Sequence, residues 1–219
     1  MRFHDRRQAG TQLAAALVRW AADTHADLTH TLVLALPRGG VPVAAEVARA
    51  LRVPLDLLVA RKIGVPGRPE VGIGAIVGED PPVFDTYALE MLGLSEERLA
   101  PEVARERAEL HRREDRYRRG LPPPQVAGRT VIVIDDGLAT GVTARACLRH
   151  LRRRDPARLV LAVPVCGAHT AEAMRQEADE LVCLRRPEHF RAVGESYEDF
   201  AQVTDEEVVG IVHGLGAPS

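Results

Sequence analysis

Two periodicities alternate along the chain. Over residues 6–25 the apolar side chains Leu13, Leu17, Val18 and Ala21 recur at helical spacing, which predicts a helix. Residues 31–36 then run continuously apolar, as in a strand covered on both faces, and a glycine turn leads into a second helical pattern over 41–51. Strands are predicted again at 53–60 and 71–77, separated by the Pro- and Gly-rich stretch 64–70, whose composition reads as loop. A helix at 87–92 and a long charged one at 95–119 interrupt the alternation, the second opened by a Ser95 cap with Glu96 and Glu97 in its first turn. The pattern resumes with strands at 131–134, 159–165 and 180–184 and helices at 144–154, 169–177 and 205–213. Alternation of this kind predicts an α/β fold, an open, mainly parallel sheet flanked by helices. On this reading residues 1–219 form a single domain with a helical insertion at about 79–124 and a small C-terminal hood or tail at about 185–219.

The strand at 131–134 consists of four β-branched residues and is followed at once by Asp135 and Asp136. Open α/β sheets bind ligands beyond the carboxyl ends of their strands, so both carboxylates are candidate site residues. Next comes a small-residue loop, Gly137, Leu138, Ala139, Thr140, Gly141, Val142 and Thr143, opening into a helix. A helix N-terminus with unpaired N–H groups and nearby hydroxyls is a ready anion site. Carboxylates beside an anion cradle suit a ligand that offers hydroxyls to one and phosphate to the other, as a sugar phosphate does. A second turn of this shape, Pro37-Arg38-Gly39-Gly40, follows the strand at 31–36, although an ordinary turn before a helix would read the same way. Lys62 is the only lysine, in a chain that has no asparagine. Beside Arg61 it offers a compact charge to phosphate oxygens, or else marks a solvated strand end.

The run Val-Ile-Val-Ile-Asp-Asp-Gly-Leu-Ala-Thr-Gly-Val-Thr over 131–143 resembles the signature of the type I phosphoribosyltransferases, and the resemblance extends over roughly 31–184. It implies the fold of that family and binding of phosphoribosyl pyrophosphate (PRPP). Asp135 and Asp136 would hold the ribose 2′ and 3′ hydroxyls, and Gly137, Leu138, Ala139, Thr140, Gly141 and Thr143 the 5′-phosphate. Pro37, Arg38, Gly39 and Gly40, with Lys62, would meet the pyrophosphate, and an unusual cis peptide is implied near Arg38 and Gly39. The stretch 64–70 matches the family's flexible loop, in which Arg68 and Glu70 are candidate contributors. The activity implied is transfer of the 5-phosphoribosyl group to a nitrogen acceptor of the nucleobase kind, with release of pyrophosphate and with Asp135, Asp136, Lys62 and Arg38 as the catalytic set. Mg²⁺ is the implied cofactor, held mostly by PRPP and water, with Asp135 and Asp136 as the candidate protein ligands. Relatives are commonly dimers, so a homodimer is an expectation too.

Composition narrows the alternatives. With 29 basic and 31 acidic residues the formal charge is -2, which provides no overall basic footprint for nucleic acid or an acidic membrane. The arginines of 95–119 are interleaved with glutamates and read as a solvated, ion-paired face. No stretch has the length and apolarity of a membrane span or the pattern of a signal peptide, so no membrane partner is expected. Cys147, Cys166 and Cys183 are an odd number at wide spacings, reading as reduced thiols of a cytoplasmic protein. Phe190, Tyr197 and Phe200 bring aromatic faces to a chain with few of them; they could stack on a planar acceptor or pack a lid, and the sequence leaves both open. Residues 163–167 are candidates for lining the acceptor pocket. Two rivals stand beside the enzyme: a PRPP-sensing regulator that binds nucleic acid, and a phospho-acceptor receiver domain using Asp135 or Asp136.

Overall fold

The computed structural model describes residues 2–215, without the side chain of Glu70; that candidate side chain and the end of the predicted tail lie outside the described residues. In chain order the elements are α1 (Arg6–Asp23), β1 (Thr31–Ala35), α2 (Gly40–Leu51), β2 (Leu55–Leu57), β3 (Ala60–Val65), β4 (Arg68–Val77) and β5 (Val83–Phe84). They continue with α3 (Thr86–Leu92), α4 (Glu96–Arg118), β6 (Thr130–Ile134), α5 (Val142–Arg152), β7 (Arg158–Val165), α6 (Ala168–Met174), β8 (Glu180–Arg185) and α7 (Asp205–Gly214). Five strands form the central sheet in the order β2-β1-β6-β7-β8, every pair parallel. This is the open, mainly parallel, helix-flanked α/β fold that the alternation predicts.

The unbroken apolar runs of β1 and β6 follow from burial on both faces. Val33, Ala35, Ile132 and Ile134 pack into a core shared with α1, α2, α4 and α7, while Leu32, Leu34, Val131 and Val133 pack into a second core shared with α5 and α6. The two strands pair in register from Thr31 opposite Thr130 to Ala35 opposite Ile134, so their carboxyl ends finish level. Pro164 lies within β7 but beyond the last pair with β6, Ile134 opposite Ala162, where its missing N–H breaks no β6–β7 bond.

The stretch 64–70 is corrected from loop to hairpin. β3 runs on through Val65, Pro66 and Gly67 make the turn, and Arg68 already begins β4. Gly67 has φ +79°, the left-handed conformation that a tight turn demands, and the register shifts around Gly64, where a Cβ would lie 2.5 Å from the Pro69 carbonyl oxygen. Residues whose composition signals loop are therefore the turn and the bulge of a hairpin. With β5 this hairpin makes a separate antiparallel sheet, and the strand predicted at 53–60 shortens to Leu55–Leu57 before it.

On α4 the buried residues Leu99, Leu110 and Tyr117 face the core, while its charges pair: Arg112 and Arg113 with Glu109, Arg105 with Glu102, and Glu106 with Arg61 of β3 at 2.6 Å. No helix among the described residues is long and apolar enough to cross a membrane. Residues near the two ends of the chain meet over the carboxyl end of the sheet. The Phe3 N–H donates to the Ser196 carbonyl, and the Glu198 and Asp199 N–H groups donate to the carbonyls of Phe3 and His4, each at 2.8 Å.

Candidate functional site

β6 delivers Asp135 and Asp136 to the carboxyl edge of the sheet, directly beside the turn that follows β1. A Cβ on Gly40 would lie 2.6 Å from the Ile134 carbonyl oxygen, and one on Gly39 only 2.0 Å from Asp136 Oδ2. The turn therefore touches the acid pair with bare backbone, and glycine is required there by contact rather than by conformation. Its Pro37–Arg38 peptide is cis, where the family resemblance implies such a bond.

The loop at 137–143 is fastened from behind. The Leu138 N–H donates to the Val165 carbonyl at 2.9 Å, and Thr170 Oγ1 donates to the Ala139 carbonyl at 2.6 Å. Gly137, Leu138 and Gly141 are buried, Ala139 and Thr140 are exposed, and Thr143 is half-buried in the first turn of α5. Among the described residues, the N–H groups of Ala139, Thr140 and Gly141 donate to no protein acceptor. Unpaired amides leading into a helix N-terminus, with threonine hydroxyls alongside, form a cradle for an anion.

The two carboxylates have different surroundings. Asp136 is 9% exposed; its Oδ2 accepts a hydrogen bond from Arg6 Nε at 2.8 Å, and its backbone carbonyl accepts one from the Tyr197 hydroxyl at 2.6 Å. Arg6 is itself held by the Ala201 carbonyl and by the face of Phe200, whose ring centre lies 3.9 Å from the guanidinium carbon. Asp135 is half-buried, and its Oδ1 accepts the Asp136 N–H at 2.8 Å. Burial, then the neighbouring Asp136 charge, push the Asp135 carboxyl well above the usual carboxylate range; burial also raises Asp136, against the pull of Arg6. Asp135 thus makes no ion pair among the described residues, while Asp136 belongs to an internal ion pair.

The other predicted residues are more widely placed. Arg38 lies 3.6 Å from Asp205 of α7, which also accepts the Tyr117 hydroxyl at 2.6 Å. Lys62 and Arg68 belong to the hairpin; the Lys62 stem crosses Gly72 of β4, where a Cβ would lie 2.5 Å from its Cδ. Tyr197 is 2% exposed and packs between Phe3 and Phe200, with ring centres 5.5 and 5.1 Å away, so it builds the hood rather than offering a face to an acceptor. Phe200 gives a face to Arg6, whereas Phe190 is half-buried beside Gly167 at the end of β7, near the phosphate-type loop. Arg6 and Thr170 are site residues that sequence patterning missed. Arg6 reads as the first residue of an amphipathic helix, and only the position of Thr170 just after the 163–167 strand end hinted at a role.

A family model described as the phosphoribosyl transferase domain matches residues 5–200. Two Mycobacterium tuberculosis proteins provisionally named as phosphoribosyl transferases are each 40% identical over 210 residues, covering 96% of this chain and 46% of their own length. The chain therefore spans about half the length of these curated relatives. The crystal structure of TT1426 from Thermus thermophilus superposes with a TM-score of 0.80 at 42% identity, covering 100% of both chains. AQ2163 from Aquifex aeolicus shares the fold at a TM-score of 0.55 and 10% identity, over 86% of this chain and 78% of its own.

Proposed function

The chain belongs to the phosphoribosyl transferase domain family, and from that premise we propose that it transfers the 5-phosphoribosyl group of PRPP to a nitrogen acceptor of the nucleobase kind, releasing pyrophosphate. One observation carries the reading: an open carboxylate, Asp135, stands at the end of β6 immediately before a loop whose amides at 139–141 are unpaired. That juxtaposition suits a ribose 5-phosphate, the hydroxyls toward the carboxylate and the phosphate in the loop.

In this reaction the bond from ribose C1 to the pyrophosphate oxygen breaks and a bond to the acceptor nitrogen forms, while positive charge builds on the ring. A half-buried carboxylate acts there through a less screened field than water permits, and a cation beside it returns Asp135 to its ionised form. Arg6 holds Asp136, whose carboxylate lies against Gly39, so its part is positioning. The backbone of 37–40, the Arg38 guanidinium and the Lys62 ammonium are groups on this chain suited to the departing pyrophosphate.

Mg²⁺ fits this donor set in a limited way. No group of three or more His, Cys, Asp or Glu side chains among the described residues could hold a metal by itself, and Arg6 covers Asp136. Asp135 is the one carboxylate of the pair open to a metal or to its water, in keeping with an ion that retains several waters and binds through substrate phosphates. When bound it would supply charge neutralisation at the pyrophosphate. The paired arginines of α4 favour a catalytic reading over a nucleic-acid-binding sensor, and the three free thiols accord with a cytoplasmic setting.

The test is pyrophosphate release from PRPP and Mg²⁺ with pooled nucleobases, followed by mass spectrometry of the products, with Asp135→Asn alongside. A nucleotide product that fails to form with Asp135→Asn supports the proposal. PRPP binding without turnover of any pooled acceptor would favour the sensor instead.

A further inference from the structure

A second cavity lies away from the site just described. α5 begins at the phosphate-type loop, and His150 and Leu151 are near its other end, about 10 Å along the helix from Thr143 at ~1.5 Å per residue. Those two residues line a cavity of about 320 Å³ beyond the edge strand β2. The enclosure arises because α4 ends in left-handed backbone at Arg119 and Gly120, and the following prolines run past the sheet edge. Arg118 fastens this arch: its guanidinium donates to both carboxylate oxygens of Asp56 at 3.0 Å, and to the carbonyls of Leu57 and Pro122. Leu57, Leu58 and Val126 supply an apolar lining. The volume falls at the lower end of the roughly 300–1,000 Å³ typical of small-molecule sites.

Three polar groups on this lining, His150 at Nε2 and the carboxylates of Glu114 and Asp115, have no protein partner among the described residues. His150 is only 7% exposed, and its Nδ1 lies 2.6 Å from Asp80 Oδ2. Burial works against ionisation of Asp80, yet hydrogen bonds from Arg153 and His150 hold it below the usual carboxylate range, so it is an acceptor. Burial also pushes the His150 pKa down, which favours the neutral ring. A neutral histidine that donates from Nδ1 carries a lone pair on Nε2, which has no protein hydrogen-bond partner among the described residues and is not sealed from solvent, so a ligand in the cavity can reach it. Glu114 is half-buried and likewise has neither hydrogen bond nor ion pair among the described residues; burial raises its carboxyl above the usual range against the charges of His111 and Arg118, so a cation placed beside it would favour its ionised form. The basic groups nearby are turned elsewhere: Arg118 to Asp56, His111 to Glu79, and Arg154 to the His150 carbonyl. The lining thus carries three carboxylates, Glu79 paired with His111 and Glu114 and Asp115 without ion pairs among the described residues, and one neutral acceptor, while its two arginines, Arg118 and Arg154, are engaged with Asp56 and the His150 carbonyl.

We propose that this cavity is a second small-molecule site, taking an organic cation whose apolar or aromatic body rests on Leu57, Leu58 and Val126 and whose N–H donors meet Glu114 and His150 Nε2. A compact amidine or arylalkylamine has that chemistry. A carboxylate of the same shape would face the carboxylates of Glu114 and Asp115 and find the lining arginines, Arg118 and Arg154, already engaged.

Titration of the full chain with benzamidine and, separately, phenethylamine, followed by isothermal calorimetry and by NMR of the Leu57 and Leu151 methyl groups, tests this. Benzoate serves as the shape-matched anion. We expect saturable binding of at least one cation, shifts at both leucines, and about tenfold weaker binding by Glu114→Gln, the scale of one lost charge-assisted hydrogen bond. Benzoate should show no comparable binding, and Asp135→Asn should bind the cations as the parent does. Absence of saturable binding by both cations, equal binding of benzoate, full retention in Glu114→Gln, or loss in Asp135→Asn would each overturn the proposal. The last outcome would place the cation at the acid pair instead.

Discussion

Replacing Arg6 with alanine tests whether Asp136 belongs to the protein's own architecture. The Arg6 and Asp136 side chains are 11% and 13% exposed, and their contact is 2.8 Å. Removing one partner of a buried pair leaves an uncompensated charge, at about 3–5 kcal/mol. Loss of the guanidinium from the face of Phe200, 3.9 Å away, contributes roughly a further 0.5–1 kcal/mol. In a chain of this size each kcal/mol lowers Tm by about 2–4 °C, so Arg6→Ala should melt roughly 7–24 °C below the parent near neutral pH. The loss should depend on pH with a definite sign. Burial already raises Asp136 in the folded chain, and without Arg6 it rises further. A carboxyl with a raised folded pKa binds its proton more tightly folded than unfolded; its penalty is absent below the unfolded pKa and grows as pH climbs through the folded one. The gap between variant and parent should therefore be largest near pH 8 and narrow toward pH 4–5. Urea and thermal unfolding of both proteins across that range measure it, with Arg6→Lys, which keeps charge but loses the fork and the stack, falling between. A loss below about 1 kcal/mol at pH 8, or a gap that does not change with pH, would refute the assignment.

Two further substitutions separate contact from chemistry. Asp135→Asn removes a half-buried charge that burial and Asp136 both disfavour, so melting should stay level or rise while PRPP-dependent pyrophosphate release falls at least about tenfold, as measured by calorimetry and a coupled phosphate assay. Gly39→Ala places a methyl where Asp136 Oδ2 now lies, 2.0 Å away, and should disturb both the Arg6 pair and the turn; an expected loss of about 1–3 kcal/mol accompanied by loss of PRPP binding can be read by thermal shift with and without PRPP.

What could be read from sequence was what is encoded locally. β6, its acid pair and the following loop are contiguous, and the β-branched run identifies a strand covered on both faces whichever helices cover it. The hairpin at 60–77 was obscured because the same glycines and prolines serve loops, tight turns and bulges, and composition does not distinguish them. The division of labour between Asp135 and Asp136 was not legible at all. The two are adjacent and chemically identical, and what separates them is Arg6, 130 residues away. Likewise the open choice for Tyr197, to stack on a ligand or to pack, is decided by Phe3 at the other end of the described chain.

The meeting of residues near the two chain ends over Asp136 also sets an order of events in biosynthesis. A nascent chain that has emerged as far as Thr143 carries every residue of the acid pair and its loop, together with Arg6, yet lacks Tyr197, Phe200 and the Ala201 carbonyl that bind Asp136 or hold Arg6. Contacts of such sequence separation form late, because closing the intervening chain comes before any gain from them. The carboxyl end of β6 is accordingly finished only when nearly all the described chain has been made, and a prematurely terminated chain retains the motif without its closure.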